Sequence, residues 1–538
     1  MKQYRILLCA LAAVLLMLAV LGGCTKKDTK AAEKESPSPD VPQETAPTGV
    51  AVPGRGCAIE FPDGKRYHYD MDLTLDPEAR TVSGHVAFTF FNDSEETWDK
   101  LCLRDYPSVF ADAENAGYDA GTVTDGAMTE IGHLRDSRGA SLEYERDKDV
   151  SVLWVPLSEP LEPGAEMTLE YDFTATVPTL DDRFGVSNAI FNVTNFYPIL
   201  AEYVDGDWSH VAFFNEGECF YSEIADYDVK LTVPSDYVVV STGTETDKAK
   251  SGDTVTYTYE APCVRDFVFS ASDSFVVQDA TYDGVHVNVA YNADNPPSAD
   301  MDPFVEAALQ AAEDSLAAFG ESFGVYPYDE LDIVFSPMAA GGMEYPNLVI
   351  ISEDYCADYA YEGSEDENDP QPASLMIDLQ ICVAHEIGHQ WFMGIVGSNS
   401  GTEPWLDESI TSYTEIVYLD YIDSEEYEWT ADAYGRDSFD LTSERITNRG
   451  RDLDYFPLNR AYYEFSDYVY SIYGYGKAAV FQMEQVLGAD LFQDVLREYV
   501  HRFAFTNADT EDFFTVLYDV VGKDNEDLNA LIEGVFDL

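Results

Sequence analysis

From about Cys57 to Asp279 apolar residues fall on every second position. Tyr67, Tyr69, Met71, Leu73 and Leu75 alternate with mostly polar neighbours, and after Asp76-Pro77 the pattern continues through Val82, Val86, Phe88 and Phe90. Met167 to Phe173, Ala225 to Val233 and Val255 to Tyr259 repeat it. A period of two, broken by Pro, Gly and Asp, predicts half-buried strands in a mostly antiparallel β domain. After Val285–Val289 the period lengthens. Val305, Leu309, Ala312, Leu316 and Phe319 keep helical spacing, with Pro303 near the start and Gly320 at the end. Leu331–Phe335 and Leu348–Ile351 read as strands, and from Leu375 helical patterns dominate. The expected architecture is α+β and multidomain: a β domain over 57–281, then a mixed, increasingly helical domain over 282–538.

The first 56 residues belong to neither. Lys2 and Arg5 precede an uninterrupted apolar run, Ile6 to Leu21, which is short for a spanning helix and is followed by Gly22-Gly23-Cys24. This is the layout of an export signal, and Leu21-Gly22-Gly23-Cys24 resembles a bacterial lipobox in which Cys24 is lipidated. An uncleaved anchor helix is the alternative. Either tethers the protein to the membrane on its extracytoplasmic side. Residues 25–56 hold lysines and prolines but few large apolar side chains, and are expected to form a flexible stalk.

With 101 Asp+Glu against 30 Lys+Arg among 538 residues, the formal charge is −71. Nucleic acid is excluded as a partner, since binding it needs cations to displace counterions. Eight cysteines occur. Six remain beyond Cys9 and Cys24, and outside the cell they could pair, in no pattern the spacing selects. The absence of C-x-x-C argues against a thiolate metal site.

Chemistry concentrates in Val383-Ala384-His385-Glu386-Ile387-Gly388-His389-Gln390-Trp391, inside an apolar window of helix length. Positions i and i+4 share a helical face, so His385 and His389 present two imidazoles to one metal ion. Glu386, rotated about 100° from His385, stands beside that ion, where a carboxylate can take a proton from the attacking water. Two histidines satisfied inside a core helix would be the plainer explanation. Hydrolytic zinc takes three protein ligands and keeps one position open. Glu408, in Trp405-Leu406-Asp407-Glu408-Ser409, is available as the third, with 18 residues between it and His389. Glu415, two turns on, is a candidate to orient a ligand histidine.

This arrangement resembles the zinc aminopeptidases of the gluzincin M1 family. Gly341-Gly342-Met343-Glu344-Tyr345-Pro346 is similar to that family's GxMEN signature, with Tyr345 where Asn is commoner. The resemblance implies a β-saddle-like domain followed by a thermolysin-like catalytic domain holding one Zn²⁺. It also implies that Glu344 binds the α-ammonium of a peptide substrate, and that Gly341, Gly342 and Met343 pair with the peptide like an added strand. The family's oxyanion-stabilising tyrosine lies in a Y-x-K-G-like segment. Tyr475-Gly476-Lys477-Ala478 fits it with Ala in place of the last Gly, and Tyr473 is held in reserve. Asn215–Pro234 resembles the end of the β-saddle, a domain that often supplies a second amine anchor, for which Asn195 is the candidate. The long helical domain that caps many relatives has no counterpart after Tyr475. The resemblance implies an aminopeptidase acting on peptides, and the export signal makes it extracytoplasmic and membrane-anchored. A zinc endopeptidase and an inactive peptide-binding surface protein are the alternatives. Separately, the acidic loop Glu353–Asp369 is a candidate to favour Lys or Arg at the substrate's N-terminus.

Overall fold

The computed structural model describes residues 50–112, 116, 127–213, 217–357, 371–435, 445–448, 451–454, 457–462 and 465–538. The export signal, Cys24 and most of the stalk lie outside the described residues, as does most of the acidic loop beyond Ala357. No helix of the described residues is long and apolar enough to cross a membrane.

The alternating segments form the expected β domain. Its largest sheet has seven strands in the order Thr244–Ser251, Thr254–Val264, Ala225–Pro234, Tyr67–Asp76, Thr81–Phe91, Glu166–Thr176 and Glu130–Asp136. Neighbours run antiparallel except Tyr67–Asp76 beside Ala225–Pro234. The inward residues predicted from period two, from Tyr67 to Leu75, are buried while their alternates face outward. Tyr69 stacks on Phe88 and Tyr227 across the sheet, with ring centroids 4.0 and 4.8 Å apart. Such cross-strand aromatic pairs fix the register that keeps one face in the core.

The second unit is built on a five-stranded mixed sheet, ordered Phe275–Tyr282, Val285–Asn292, Glu330–Ser336, Leu348–Ser352 and Gly342–Tyr345. Phe275–Tyr282, expected in the first domain, belongs here: it pairs with Val285–Asn292 through a tight turn at Asp283-Gly284. Gly342–Tyr345 is the sheet's edge strand. Around the sheet pack α1 (Asp302–Phe323), α2 (Gln371–Gly388), α3 (Ile410–Tyr421), α4 (Lys477–Leu487) and α5 (Ala489–Phe503). Two further helices, α6 (Thr510–Val521) and α7 (Glu526–Val535), follow. α6 carries a full capping box between Asp509 and Asp512, which satisfies otherwise orphaned amides at its start.

One expectation changes at the junction with the stalk. The last stalk residues are docked rather than free. The guanidinium of Arg497, 1% exposed, donates to the carbonyls of Pro53 (2.9 Å) and Ser322 (2.7 Å), and Cys57 accepts from the Val325 amide at 2.8 Å. A buried guanidinium needs acceptors, and the extended chain supplies one. Further, Cys57, Cys102, Cys219, Cys263, Cys356 and Cys382 are all free thiols. All but Cys57 are buried, where a thiol acts as a small apolar group.

Candidate active site

The zinc-type motif sits where α2 runs out. Helical hydrogen bonding ends at Gly388, but the His389 amide still reaches the His385 carbonyl at 3.3 Å, so the i, i+4 relation survives. Just before α3, Trp405–Ser409 winds as a π-type turn with Pro404 at its cap. Such wide turns re-aim side chains and recur at functional sites. This one turns Glu408 onto the two imidazoles.

His385 Nε2, His389 Nε2 and Glu408 Oε2 form a triangle with sides of 3.2, 3.3 and 3.4 Å. Two ligands about 2.05 Å from a zinc ion at the tetrahedral angle lie about 3.3 Å apart. The three atoms therefore trace one face of a coordination tetrahedron. The far nitrogens are engaged too. His385 Nδ1 lies 2.9 Å from Glu415 Oε1, and His389 Nδ1 lies 3.2 Å from the Phe392 carbonyl, with Asp407 Oδ1 2.7 Å away as an ion-pair neighbour. A carboxylate or a carbonyl can only accept, so each Nδ1 carries its proton and each Nε2 keeps its lone pair for a metal. Glu415 also pairs with Lys477 Nζ. Burial pushes its carboxyl up, but Lys477 and His385 outweigh that and hold it below the ordinary range. Asp407, wholly buried, accepts from Ser400 Oγ at 2.6 Å.

Glu386 is 5% exposed. Burial pushes its carboxyl up to about 7, with both imidazoles opposing, a range suited to moving protons near neutrality. Gly342 faces it so closely that a Cβ there would lie 2.2 Å from Glu386 Oε1; only glycine lets the edge strand approach. On the same strand Glu344 is 4% exposed, and its Oε1 has no hydrogen-bond partner among the described residues. A buried carboxylate oxygen left bare is costly unless a ligand completes it. Gly341 lies at the strand's entrance beside Tyr355, whose hydroxyl would be 3.1 Å from a Cβ at that position. Met343 points the other way, into an apolar cluster with Val334 and Ile350, so only its backbone lies along the edge. Gln390 ties the strand to the motif: its amide donates to the Tyr345 carbonyl and its oxygen accepts from the Asn347 amide, both at 3.0 Å.

Two placements differ from expectation. Tyr473, not Tyr475, turns its hydroxyl to the cluster, donating to Glu408 Oε1 at 2.5 Å, with its ring 6.1 Å from that of His385. Tyr475 is packed into the core at 1% exposure. Val469–Gly476 is a second π-type turn. Gly476 crosses the first one so closely that a Cβ would fall 1.9 Å from Ser409 Oγ. Read from Tyr473 the segment is Tyr-Gly-Tyr-Gly, which keeps the final glycine of Y-x-K-G at Gly476 but puts Tyr475 in the lysine's place. Asn195 has both ends of its carboxamide occupied, donating to Asp266 Oδ2 (2.8 Å) and accepting from Tyr345 Oη (3.0 Å). From that domain it is Glu218 whose charge bears on Glu344 and Glu408. Glu218 is itself held by Arg183 Nη1 at 2.7 and 2.8 Å.

Residues 307–534 match the family model described as the peptidase family M1 domain. This match to peptidase family M1 covers less than half of the chain. Aminopeptidase M1 of Arabidopsis thaliana is 28% identical over 303 residues, 54% of this chain and 32% of that protein. Aminopeptidase M1-B of Oryza sativa subsp. japonica is 28% identical over 311 residues, 56% of this chain and 33% of that one. The chain thus spans about a third of the length of these relatives. An M1 zinc metallopeptidase from Deinococcus radiodurans shares the fold, with a TM-score of 0.58 at 18% identity over 90% of this chain and 98% of that one.

Proposed function

We propose that the protein is a zinc aminopeptidase, tethered outside the cytoplasmic membrane through Cys24, that removes N-terminal residues from peptides. The observation that carries the reading is the tetrahedral face of His385, His389 and Glu408 lying beside a carboxylate oxygen, on Glu344, that lacks a partner. A zinc ion on those three ligands supplies Lewis-acid polarisation of the scissile carbonyl and acidifies the attacking water. Glu344 receives the substrate's α-ammonium, which supplies the missing donor and makes the enzyme an exopeptidase. The Gly341–Met343 backbone, on an unpaired sheet edge, accepts the peptide as an added strand. Glu386 takes the proton of the attacking water and delivers it to the leaving amine nitrogen as the C–N bond breaks. Tyr473 donates its hydroxyl to the oxygen that gains charge. Peptide-bound Deinococcus radiodurans M1 metallopeptidase, crystallised with a Tyr-Ser-Ala substrate, supports peptides as the substrate class.

The test is release of nitroaniline from aminoacyl-nitroanilides, abolished by chelation and restored by zinc. N-acetylated substrates are expected to resist. Equal cleavage of acetylated and free peptides would overturn the exopeptidase reading in favour of an endopeptidase. For the anchor, Cys24→Ser is expected to shift the protein from the membrane to the soluble fraction.

A further inference from the structure

We infer that Arg265, from the β domain, is a positioning residue for the metal site: it pins the loop that follows the zinc-type motif and, through that loop, the ring of His389. Its guanidinium is 6% exposed and meets five acceptors at a three-way junction. Nε donates to the carbonyls of Met393 (2.6 Å) and Gly394 (3.1 Å). Nη1 donates to the Ser222 carbonyl (2.8 Å) and to Asn507 Oδ1 (2.5 Å), and Nη2 donates to the Thr506 carbonyl (2.7 Å). A planar fork of donors can hold three segments at once, which a lysine ammonium cannot. The fit is close: a Cβ on Gly397 would lie 2.2 Å from Arg265 Cζ.

The loop needs holding. Met393 has a φ of 124°, a conformation that costs free energy for any residue but glycine and persists only where its surroundings impose it. Arg265 grips the carbonyl of that residue and of the next. On its other side the loop is tied to the motif. The Gly394 amide donates to the His389 carbonyl at 2.8 Å, and the Ile395 amide to the Gln390 carbonyl at 2.9 Å. The carbonyl of Phe392, one residue before Met393, lies 3.2 Å from His389 Nδ1. Asp407 and Thr411 also reach that nitrogen, so release of the loop loosens His389 without freeing it. The expected cost is therefore the lower end of what losing an outer partner of a ligand histidine brings, about 10-fold in metal affinity. The family match begins at residue 307. Arg265 and Ser222 lie before it, so the metal site leans on a domain outside that match. This rests on the proposed function only in placing the ion on His385, His389 and Glu408.

The experiment is competition for zinc between the whole chain and a chelator, with melting temperature measured alongside. Arg265→Met is expected to weaken zinc binding about 10-fold, and Arg265→Lys to recover little of it. Met393→Gly relieves the backbone at the position the clamp enforces, and is expected to restore part of the affinity when combined with Arg265→Met. Arg497→Met is the control. It removes another buried guanidinium, and is expected to lower the melting temperature while zinc affinity stays as in wild type. Where Arg265→Met does not fold, Arg265→Lys, alone and with Met393→Gly, carries the same comparison. Unchanged zinc affinity in the Arg265 variants overturns the inference and leaves the aminopeptidase reading standing. So does a loss matched by Arg497→Met, or one that Met393→Gly does not relieve, since either makes Arg265 a general support of the fold. A wild-type protein that holds no zinc overturns the placement of the ion as well.

Discussion

Replacing Tyr473 by Phe removes a hydroxyl and little else. In the resting protein that hydroxyl donates to Glu408 Oε1 at 2.5 Å. Glu408 offers its other oxygen to the imidazole pair at 3.3 and 3.4 Å. The ligand triangle thus survives the substitution, and zinc content should stay at one ion. What is lost is a neutral donor within reach of the carbonyl that would be attacked. One such donor is worth about 2.7–4 kcal/mol to the transition state, or about 100–1,000-fold in kcat. KM should change little, because the ground-state carbonyl carries little charge. Tyr475→Phe is the paired control. Its side chain lies in the core, so its loss should appear as a shift in melting temperature of a few degrees, with kcat held within about threefold. The assay is steady-state hydrolysis of Ala- and Leu-nitroanilide by both variants at equal zinc content. If Tyr473→Phe keeps kcat within a few-fold while Tyr475→Phe falls by two orders of magnitude, the placement of the oxyanion donor is wrong, and with it the reading of the second π-type turn.

Lys477→Met strands Glu415 as a buried, unpaired anion behind His385. Zinc affinity should drop about 10–100-fold by competition with a chelator, and Lys477→Arg should recover part of it. Asp266 is buried beneath Asn195 and Tyr197, and burial pushes its carboxyl up to about 7 from 3.8. A folded-state value above the unfolded one means its contribution is full below about pH 4 and is lost as pH rises through 7, up to about 4 kcal/mol. Asp266→Asn should therefore flatten the fall in melting temperature between pH 5 and 8, and an unchanged profile would show that Asp266 is ionised when folded. Arg497→Met leaves the carbonyls of Pro53 and Ser322 without their donor. About 3 kcal/mol of stability should go, and limited proteolysis should newly cut before Cys57.

Much of this arrangement is legible in the chain because it is local. Tyr67 to Leu75 bury alternate side chains as period two requires, and His385 and His389 meet because four residues make one helical turn. Glu408 was reachable through its spacing from His389 and the chemistry of a three-ligand ion. The losses occur where local period fails. Tyr473 lies in a π-type turn, which adds a residue per turn and shifts the face a 3.6-residue period would assign. The glycine that fixes the register, Gly476, reveals itself only when Ser409 is seen pressed against it. Asn195 is spent on Asp266 and Tyr345, partners 71 and 150 residues away, a distance no pattern spans. Asp407 and Gln390 stood inside the motifs already singled out. Their roles follow from which ring nitrogen and which carbonyl they reach, a tertiary fact.

The two π-type turns also explain how a site this acidic can be built. Asp407 and Glu408 are consecutive, and in a regular helix they would diverge by 100°. Here they reach opposite sides of the same metal-ligand group, one to His389 Nδ1 and the other to both Nε2 atoms. Glu415 approaches from α3 with its own cation, Lys477, at the first residue of α4. Lys477 thus balances Glu415, which only orients a ligand, whereas Asp407 and the carboxylates that would meet metal, water or substrate are given no Lys or Arg partner among the described residues. A buried anion without a cation costs several kcal/mol, so the folded site stores that cost until an ion and a substrate ammonium arrive. The imbalance sits on Asp407 and on the residues given the chemistry, Glu344, Glu386 and Glu408, and is absent from Glu415 and Glu218. That is the distribution expected of a binding and catalytic centre rather than of a core that happens to contain acids.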